Sequence, residues 1–156
     1  SRLDGLTMLL NRTQYEKDLE RIKPPAVIIN MDVDDFKQIN DTSGHAAGDY
    51  YLRQIAEVIR TVYGRHGDCY RYGGDEFSLI LTKNLHQMEK LNGMFETALG
   101  QLREQDPQMP MVSLGYALYE GGIEALYATI EKADAMMYRN KKVNDRAEIV
   151  EIAAEI

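Results

Sequence analysis

A single cysteine, Cys69, stands in 156 residues. That excludes an internal disulfide and a cysteine-built zinc site, and it fits a reducing compartment. Long apolar runs are missing too: stretches such as Ala26-Val27-Ile28-Ile29 fall far short of the ~20 residues that span a bilayer. No membrane contact is expected of this segment. Basic charge is in deficit, with 18 Lys+Arg against 25 Asp+Glu, a formal charge of −7 and a pI near 5.0. A basic clamp on long nucleic acid is therefore excluded. There is no Gly-x-x-x-x-Gly-Lys-Ser/Thr phosphate loop. The loop starting at Asp32 has Lys37 at its sixth position and Ser43 at its twelfth, where a calcium-binding EF-hand needs Gly and Glu. Repeats, linkers and low-complexity tracts are lacking as well.

What is present describes one globular domain. Apolar residues make up 44% and charged residues 28%, a composition outside the disordered range. A chain of about 150 residues buries roughly 68–70% of its unfolded surface, enough for a core without staples. A capping box, Thr13 with Glu16, predicts a helix whose face carries Tyr15, Leu19 and Ile22, stopped by Pro24-Pro25. Ala26 to Met31 is a β-branched apolar run that predicts a buried strand ending at Asp32. Leu52, Ile55, Ala56, Ile59 and Val62 mark an amphipathic helix over 49–63, closed by Gly64. Cys69 to Tyr72 and Phe77 to Leu81 read as strands on either side of Gly73-Gly74, a pair suited to the positive φ angles of a two-residue hairpin turn. A third helix follows through Met88, Leu91, Phe95, Ala98 and Leu102, then a strand through the alternation Val112, Leu114, Tyr116, Leu118. A fourth helix, marked by Leu126, Ile130, Ala133 and Met137, runs into the basic stretch 139–146, and Ala147 to Ile152 reads as a closing edge strand. This order predicts a mixed α/β (α+β) layer fold with an at least partly antiparallel sheet.

The chemistry gathers in two acidic segments. Asp32, Asp34 and Asp35 lie at the end of the first strand, and Asp75 and Glu76 follow the Gly-Gly turn. Taken singly, Asp34 and Asp35 read as helix caps and the later two as a solvated pair; if the segments are neighbours in one sheet, their carboxylates converge. Carboxylates without His or Cys suit hard cations such as Mg²⁺ or Mn²⁺, held through one or two carboxylates plus substrate phosphate oxygens. That combination implies phosphoryl chemistry.

The run Arg71-Tyr72-Gly73-Gly74-Asp75-Glu76-Phe77 resembles the signature of GGDEF domains, the bacterial diguanylate cyclases, and other segments follow in the family's order. Asp4-Gly5-Leu6-Thr7 to Asn11-Arg12 resembles the opening motif, and Asp32 to Asp41 the metal-strand and substrate segment. Gly44-His45-Ala46-Ala47-Gly48-Asp49 resembles the Gly-His-x-x-Gly-Asp element, while Val112-Ser113-Leu114-Gly115 and Ala133-Asp134 to Tyr138 match the late strand and helix. The resemblance covers essentially the whole chain.

It implies a central, mostly antiparallel five-stranded sheet flanked by helices, similar to the nucleotide-cyclase and polymerase-palm core, in a single domain over 1–156. It also implies condensation of two GTP into cyclic di-GMP, each 3′-hydroxyl attacking the other's α-phosphate with loss of pyrophosphate, in a homodimer required for activity. By resemblance, Asp32 and Asp75 are metal ligands, with Val33 adding its carbonyl, for two Mg²⁺ or Mn²⁺ per site. Asp75, or Glu76, takes the proton from the 3′-hydroxyl, and Lys37 stabilises transition-state charge. Asn40 and Asp49 would read guanine, whose N1–H and amino group offer two donors to one carboxylate where adenine does not. Asp49 would otherwise be the N-cap of the helix that follows it. His45 lies either near the nucleotide or simply in a tight Gly-flanked loop. Gly73 and Gly74 either let backbone approach phosphate or ribose, or only shape the turn. Lys141 and Arg146 would contact the triphosphate. Two other readings compete: a non-catalytic GGDEF module that binds GTP or cyclic di-GMP and regulates an attached domain, and a different nucleotidyl cyclase or palm enzyme.

The chain departs from the family pattern in three places. Met8 stands where the opening motif has Gly. The late motif, Tyr-x-Ala-Lys-x-x-Gly-Arg-Asn in the family, runs here from Tyr138 to Arg146 with Lys141 kept but Asn144 and Asp145 in the Gly-Arg positions. Arg146 therefore serves only through a one-residue shift; otherwise the triphosphate loses a contact. Arg65-His66-Gly67-Asp68 has the Arg-x-x-Asp pattern of the family's inhibitory site, but four residues rather than five separate it from Gly73, which leaves product feedback and coincidence both open. The sequence starts at Ser1 without Met or a leader pattern. It is expected to be the C-terminal module of a longer cytoplasmic signalling protein, or the cytoplasmic part of a membrane-anchored one, with a sensor upstream.

Overall fold

In the computed structural model, which describes residues 1–155, the first half of the chain runs α1 (Arg12–Glu20), β1 (Ala26–Val33), α2 (Phe36–Ser43), α3 (His45–Tyr63), β2 (Gly67–Arg71) and β3 (Glu76–Leu81). A 3-10 turn at Leu85–Gln87, α4 (Met88–Gln105), β4 (Val112–Tyr119) and α5 (Ile123–Glu155) complete it. The sheet has the order β2-β3-β1-β4, with every pairing antiparallel. Strand alternation divides the core. Val27, Ile29, Met31 and Val33 pack with Ile55, Ile59 and Tyr63 of α3 and Phe95 of α4. Ala26 and Ile28 pack on the opposite face with Tyr15 of α1 and Leu126 and Ala133 of α5. Helices on both faces explain why β1 is apolar almost throughout. By the same parity Asn30 and Asp32 point toward α5, and Asn30 Nδ2 donates to Asp134 Oδ1 at 2.7 Å.

The N-terminal segment covers the outer edge of β2. Leu10 N donates to Cys69 O at 3.1 Å and Arg71 N to Leu10 O at 2.8 Å, so a strand edge that would otherwise be open is partly paired.

Several expectations are corrected. The cap of α1 is Asn11, whose side chain accepts from Gln14 N at 2.9 Å. Thr13 and Glu16 lie inside the helix and form no capping box, because an Asn two residues upstream is at least as good a cap. α3 starts at His45, so Asp49 sits in its second turn and is not an N-cap. The segment 147–152 is helix rather than strand: α5 continues through it to Glu155, and the sheet among the described residues has four strands, not five. No Gly or Pro interrupts 123–155, so nothing in the local sequence stops the helix. The β2–β3 connection spans the four residues 72–75, and neither Gly73 nor Gly74 takes a positive φ; a wider turn does not need one. Among the described residues no helix is long and apolar enough to cross a membrane.

Candidate active site

The two acidic segments are neighbours. Asp32 pairs in register with Glu76, and Val33 N donates to Asp75 O at 2.9 Å. Lys141 of α5 brings its Nζ to 3.8 Å from Asp32 Oδ2. The other oxygen, Asp32 Oδ1, is buried and has no hydrogen-bond partner. Burial first, then the negative charge of Asp75, pushes the Asp32 pKa up to about 6 against the pull of Lys141. A half-buried carboxylate with one buried, orphaned oxygen and acidic neighbours is short of positive charge. A hard divalent cation fits that deficit and these oxygen donors. Among the described residues no group of three or more His, Cys, Asp or Glu forms a ready cage.

The turn before Asp75 is held in place by Arg71. Its Nε donates to Gly73 O at 3.2 Å and its Nη2 to Gly74 O at 2.9 Å, while Nη1 lies 3.3 Å from both Asp4 carboxylate oxygens. Asp4 also accepts from Thr7 N and Thr7 Oγ1, each at 2.8 Å. Burial pulls the Asp4 carboxyl upward, but Thr7 and Arg71 together hold it below the ordinary carboxylate range. A Cβ on Gly73 would come within 3.1 Å of Glu76 Oε2, whereas one on Gly74 would meet nothing within 4 Å. The space at Gly74 is open for a ligand.

A second group lies on α2 and α3. Asn40 Oδ1 is buried without a partner. It occupies space that exists because residue 48 is glycine, since a Cβ there would collide with it and lie 3.0 Å from Phe36 Cζ. Asp49, next in sequence, is half-buried, and His45 is exposed at the start of α3 behind Gly44, whose φ is 89°. Lys37 is not brought to the acidic corner: its side chain is 93% exposed and, among the described residues, pairs with Asp41 at 3.9 Å. Arg146 is exposed on α5, Arg65 is exposed just before β2, and Asp68 is exposed within β2.

Sequence reasoning assigned no role to Ser113 and treated Asn144 only as a departure. Both bind Asp34, which is no helix cap: it is 5% exposed and accepts from Ser113 Oγ at 2.7 Å and Asn144 Nδ2 at 2.9 Å. Burial raises its pKa and these two bonds oppose the rise. Asp35 holds the cap position of α2 at φ 53° with no side-chain cap bond.

Over residues 1–146 the sequence matches the family profile described as Diguanylate cyclase, GGDEF domain, and the chain belongs to that family. It is 32% identical over 153 residues to diguanylate cyclase DosC of Escherichia coli (strain K12), covering 90% of this chain and 33% of that protein. It is 33% identical over 147 residues to diguanylate cyclase DgcS of Shewanella oneidensis, covering 88% of this chain and 49% of that protein. The chain therefore spans about a third to a half of these curated relatives. Among solved structures it is similar to the GGDEF domain of DgcB from Caulobacter crescentus in complex with c-di-GMP, with a TM-score of 0.77 at 28% identity over 91% of each chain. It is also similar to diguanylate cyclase SiaD of Pseudomonas aeruginosa in complex with its activator SiaC, with a TM-score of 0.76 at 29% identity, covering 92% of this chain and 59% of that one. The fold expected from the motifs is the fold found, one strand short.

Proposed function

We propose that this domain condenses two GTP into cyclic di-GMP and two pyrophosphates at a homodimer interface, as a single module of a longer cytoplasmic signalling protein with a sensor upstream. The observation that carries the proposal is Asp32, with its unpartnered buried oxygen, set against Glu76, the Asp75 backbone and Lys141. Asp32, Asp75 and the Val33 carbonyl would hold Mg²⁺ or Mn²⁺, two ions per site, which when bound lower the pKa of the attacking hydroxyl and neutralise charge on the α-phosphate.

In each half-reaction the 3′-hydroxyl oxygen bonds to the α-phosphorus of the other nucleotide, the bond to the β-phosphate oxygen breaks, and pyrophosphate leaves. Asp75 takes the hydroxyl proton, with Glu76 as the alternative base. Each subunit binds one GTP, so a twofold dimer has to set two such corners face to face. The open space at Gly74 admits ribose or phosphate, while Gly73 keeps Glu76 uncrowded. Asp49 accepts from guanine N1–H and the amino group, Asn40 adds a second polar contact, and His45 flanks the base. Lys141 and Arg146 would contact the triphosphate, and Lys37 would meet transition-state charge once nucleotide is bound. Incubation with GTP and Mg²⁺ or Mn²⁺ at several protein concentrations should give cyclic di-GMP at a rate that grows more steeply than linearly and vanishes in Asp75→Ala. Absence of product from a demonstrated dimer would overturn the proposal.

Asp145, standing where the family has arginine, favours a second reading: a module that binds GTP or cyclic di-GMP without turnover. Calorimetric binding with no product is the outcome that selects it.

A further inference from the structure

We infer that Asn144 is a positioning residue for Lys141, acting through a latch with Asp34 and Ser113; the inference rests on the cyclase reading of the Asp32 corner. Three parts of the chain meet in this latch. Ser113 Oγ donates to Asp34 Oδ1 at 2.7 Å, and Asn144 Nδ2 reaches Asp34 Oδ2 at 2.9 Å and Ser113 Oγ at 3.1 Å. Asp34 N donates to Met111 O at 2.9 Å, which fixes the β1–α2 connection to the start of β4. Ser113, 1% exposed, lies opposite Asp32 in the β1–β4 register. The latch thus ties α5 to the sheet beside the carboxylate that faces Lys141.

Helix geometry transmits the tie. Lys141 and Asn144 are three residues apart and share a face of α5. Asn140, one turn before Asn144, donates to Leu114 O at 2.6 Å on the same side. A lysine stem is flexible and its ammonium is a point charge, so its reach is set by where the helix carries its Cα. With Asn144 removed, Asp34 keeps one of its two side-chain donors, and α5 loses the bond that seats the turn carrying Lys141. The side-chain chemistry is selective: an Asp at 144 would set a carboxylate against Asp34, and a Gly, the residue of the family pattern, would supply no donor. The latch is a property of this chain's departure from that pattern, and it works only because α5 stays helical past residue 144.

The test uses the full chain in two arms. In hydrogen–deuterium exchange without nucleotide, Asn144→Ala should speed exchange of backbone amides over 139–151 and leave 123–133 unchanged; unaltered exchange over 139–151 overturns the latch. In steady-state kinetics, Asn144→Ala should raise the KM for GTP roughly tenfold, the scale of one charge-assisted hydrogen bond, with kcat within about twofold. In a Lys141→Ala background the same change should have no further effect on KM, because both act through one ammonium. An undiminished effect there overturns the positioning role. A wild-type chain that makes no cyclic di-GMP counts against the cyclase reading. The KM comparison is then replaced by calorimetric GTP affinity with the same non-additivity criterion, and the exchange arm stands independently.

Discussion

The Arg71 guanidinium bridges Asp4 and the carbonyl oxygens of Gly73 and Gly74, so the turn that presents Asp75 is held from the N-terminal segment. A lysine at 71 places a single ammonium where a planar fork spans four acceptor oxygens. Arg71→Lys is expected to cost about 1–3 kcal/mol in urea unfolding and to lower cyclic di-GMP turnover at least as much as Asp4→Asn does. The pH dependence has a definite sign. The Asp4 carboxyl is held below its ordinary range in the folded chain, so its contribution is full above that range and fades as pH falls through the lower folded value. Asp4→Asn should flatten this acid limb of the stability profile, and an unchanged limb would show that the bridge carries no stability.

Asp32 behaves in the opposite way. Its folded pKa is raised to about 6 by burial and by Asp75, so ionisation costs the folded state. That cost is complete above pH 6 and is relieved as pH falls through the folded value toward the ordinary carboxylate range. With chelator present, the chain should gain about 1–2 kcal/mol from this group between pH 7 and pH 4, after discounting for solvent screening. Asp32→Asn should abolish that gain and should also remove the rise in melting temperature produced by millimolar Mg²⁺. A pH slope that persists in Asp32→Asn assigns the shift elsewhere.

Much of this architecture was legible in the sequence because it is written in short-range patterns. The β1 run, the α3 stripe from Leu52 to Val62 and the alternation of β4 each encode their own burial, and they place Asp32 and Asp75 at adjacent strand ends. What was not legible depends on partners far away in sequence. Asn144 meets Asp34 across 110 positions, and no periodicity links the two. Residues 147–152 carry an apolar–acidic spacing that suits a short strand as well as a helix, and continuation of α5 decided between them. Lys37 shares a motif with Asp32, yet α2 turns it into solvent. The Gly-Gly pair suggested a tight turn, whereas Arg71 holds a wider one.

Met8 takes the left-handed conformation at φ 63° with its side chain exposed. This is the position where the opening motif has Gly, and the conformation explains the preference: a Cβ there costs about 1 kcal/mol that glycine avoids. Met8→Gly should therefore raise the free energy of unfolding by up to about 1 kcal/mol, less the extra chain entropy of glycine in the unfolded state. GTP turnover should change little, since Met8 N donates to Asp4 O at 2.9 Å whatever the side chain. Chemical denaturation of the two chains measures the difference, and a loss of stability in Met8→Gly would show that the methionine side chain earns its place by packing.

Gly48 and Gly93 separate helix propensity from site geometry. Both are interior helix glycines, and replacement by alanine ordinarily gains about 0.5–1 kcal/mol. At Gly93 of α4 a Cβ meets nothing within 4 Å, so Gly93→Ala should show that gain alone with GTP affinity unchanged. At Gly48 the new methyl collides with Asn40 Oδ1 and crowds Phe36. α2 has no buried residue of its own to resist displacement, so it should shift and carry Asn40 away from Asp49. Stability should then stay within about 1 kcal/mol of the parent, the propensity gain offsetting the lost packing. GTP affinity should fall roughly tenfold, the equivalent of one lost directed hydrogen bond, and discrimination against ATP should narrow with it. Calorimetry with both nucleotides on the two variants decides the matter. If Gly48→Ala gains stability as Gly93→Ala does and still binds GTP as the parent does, Asn40 does not read the base.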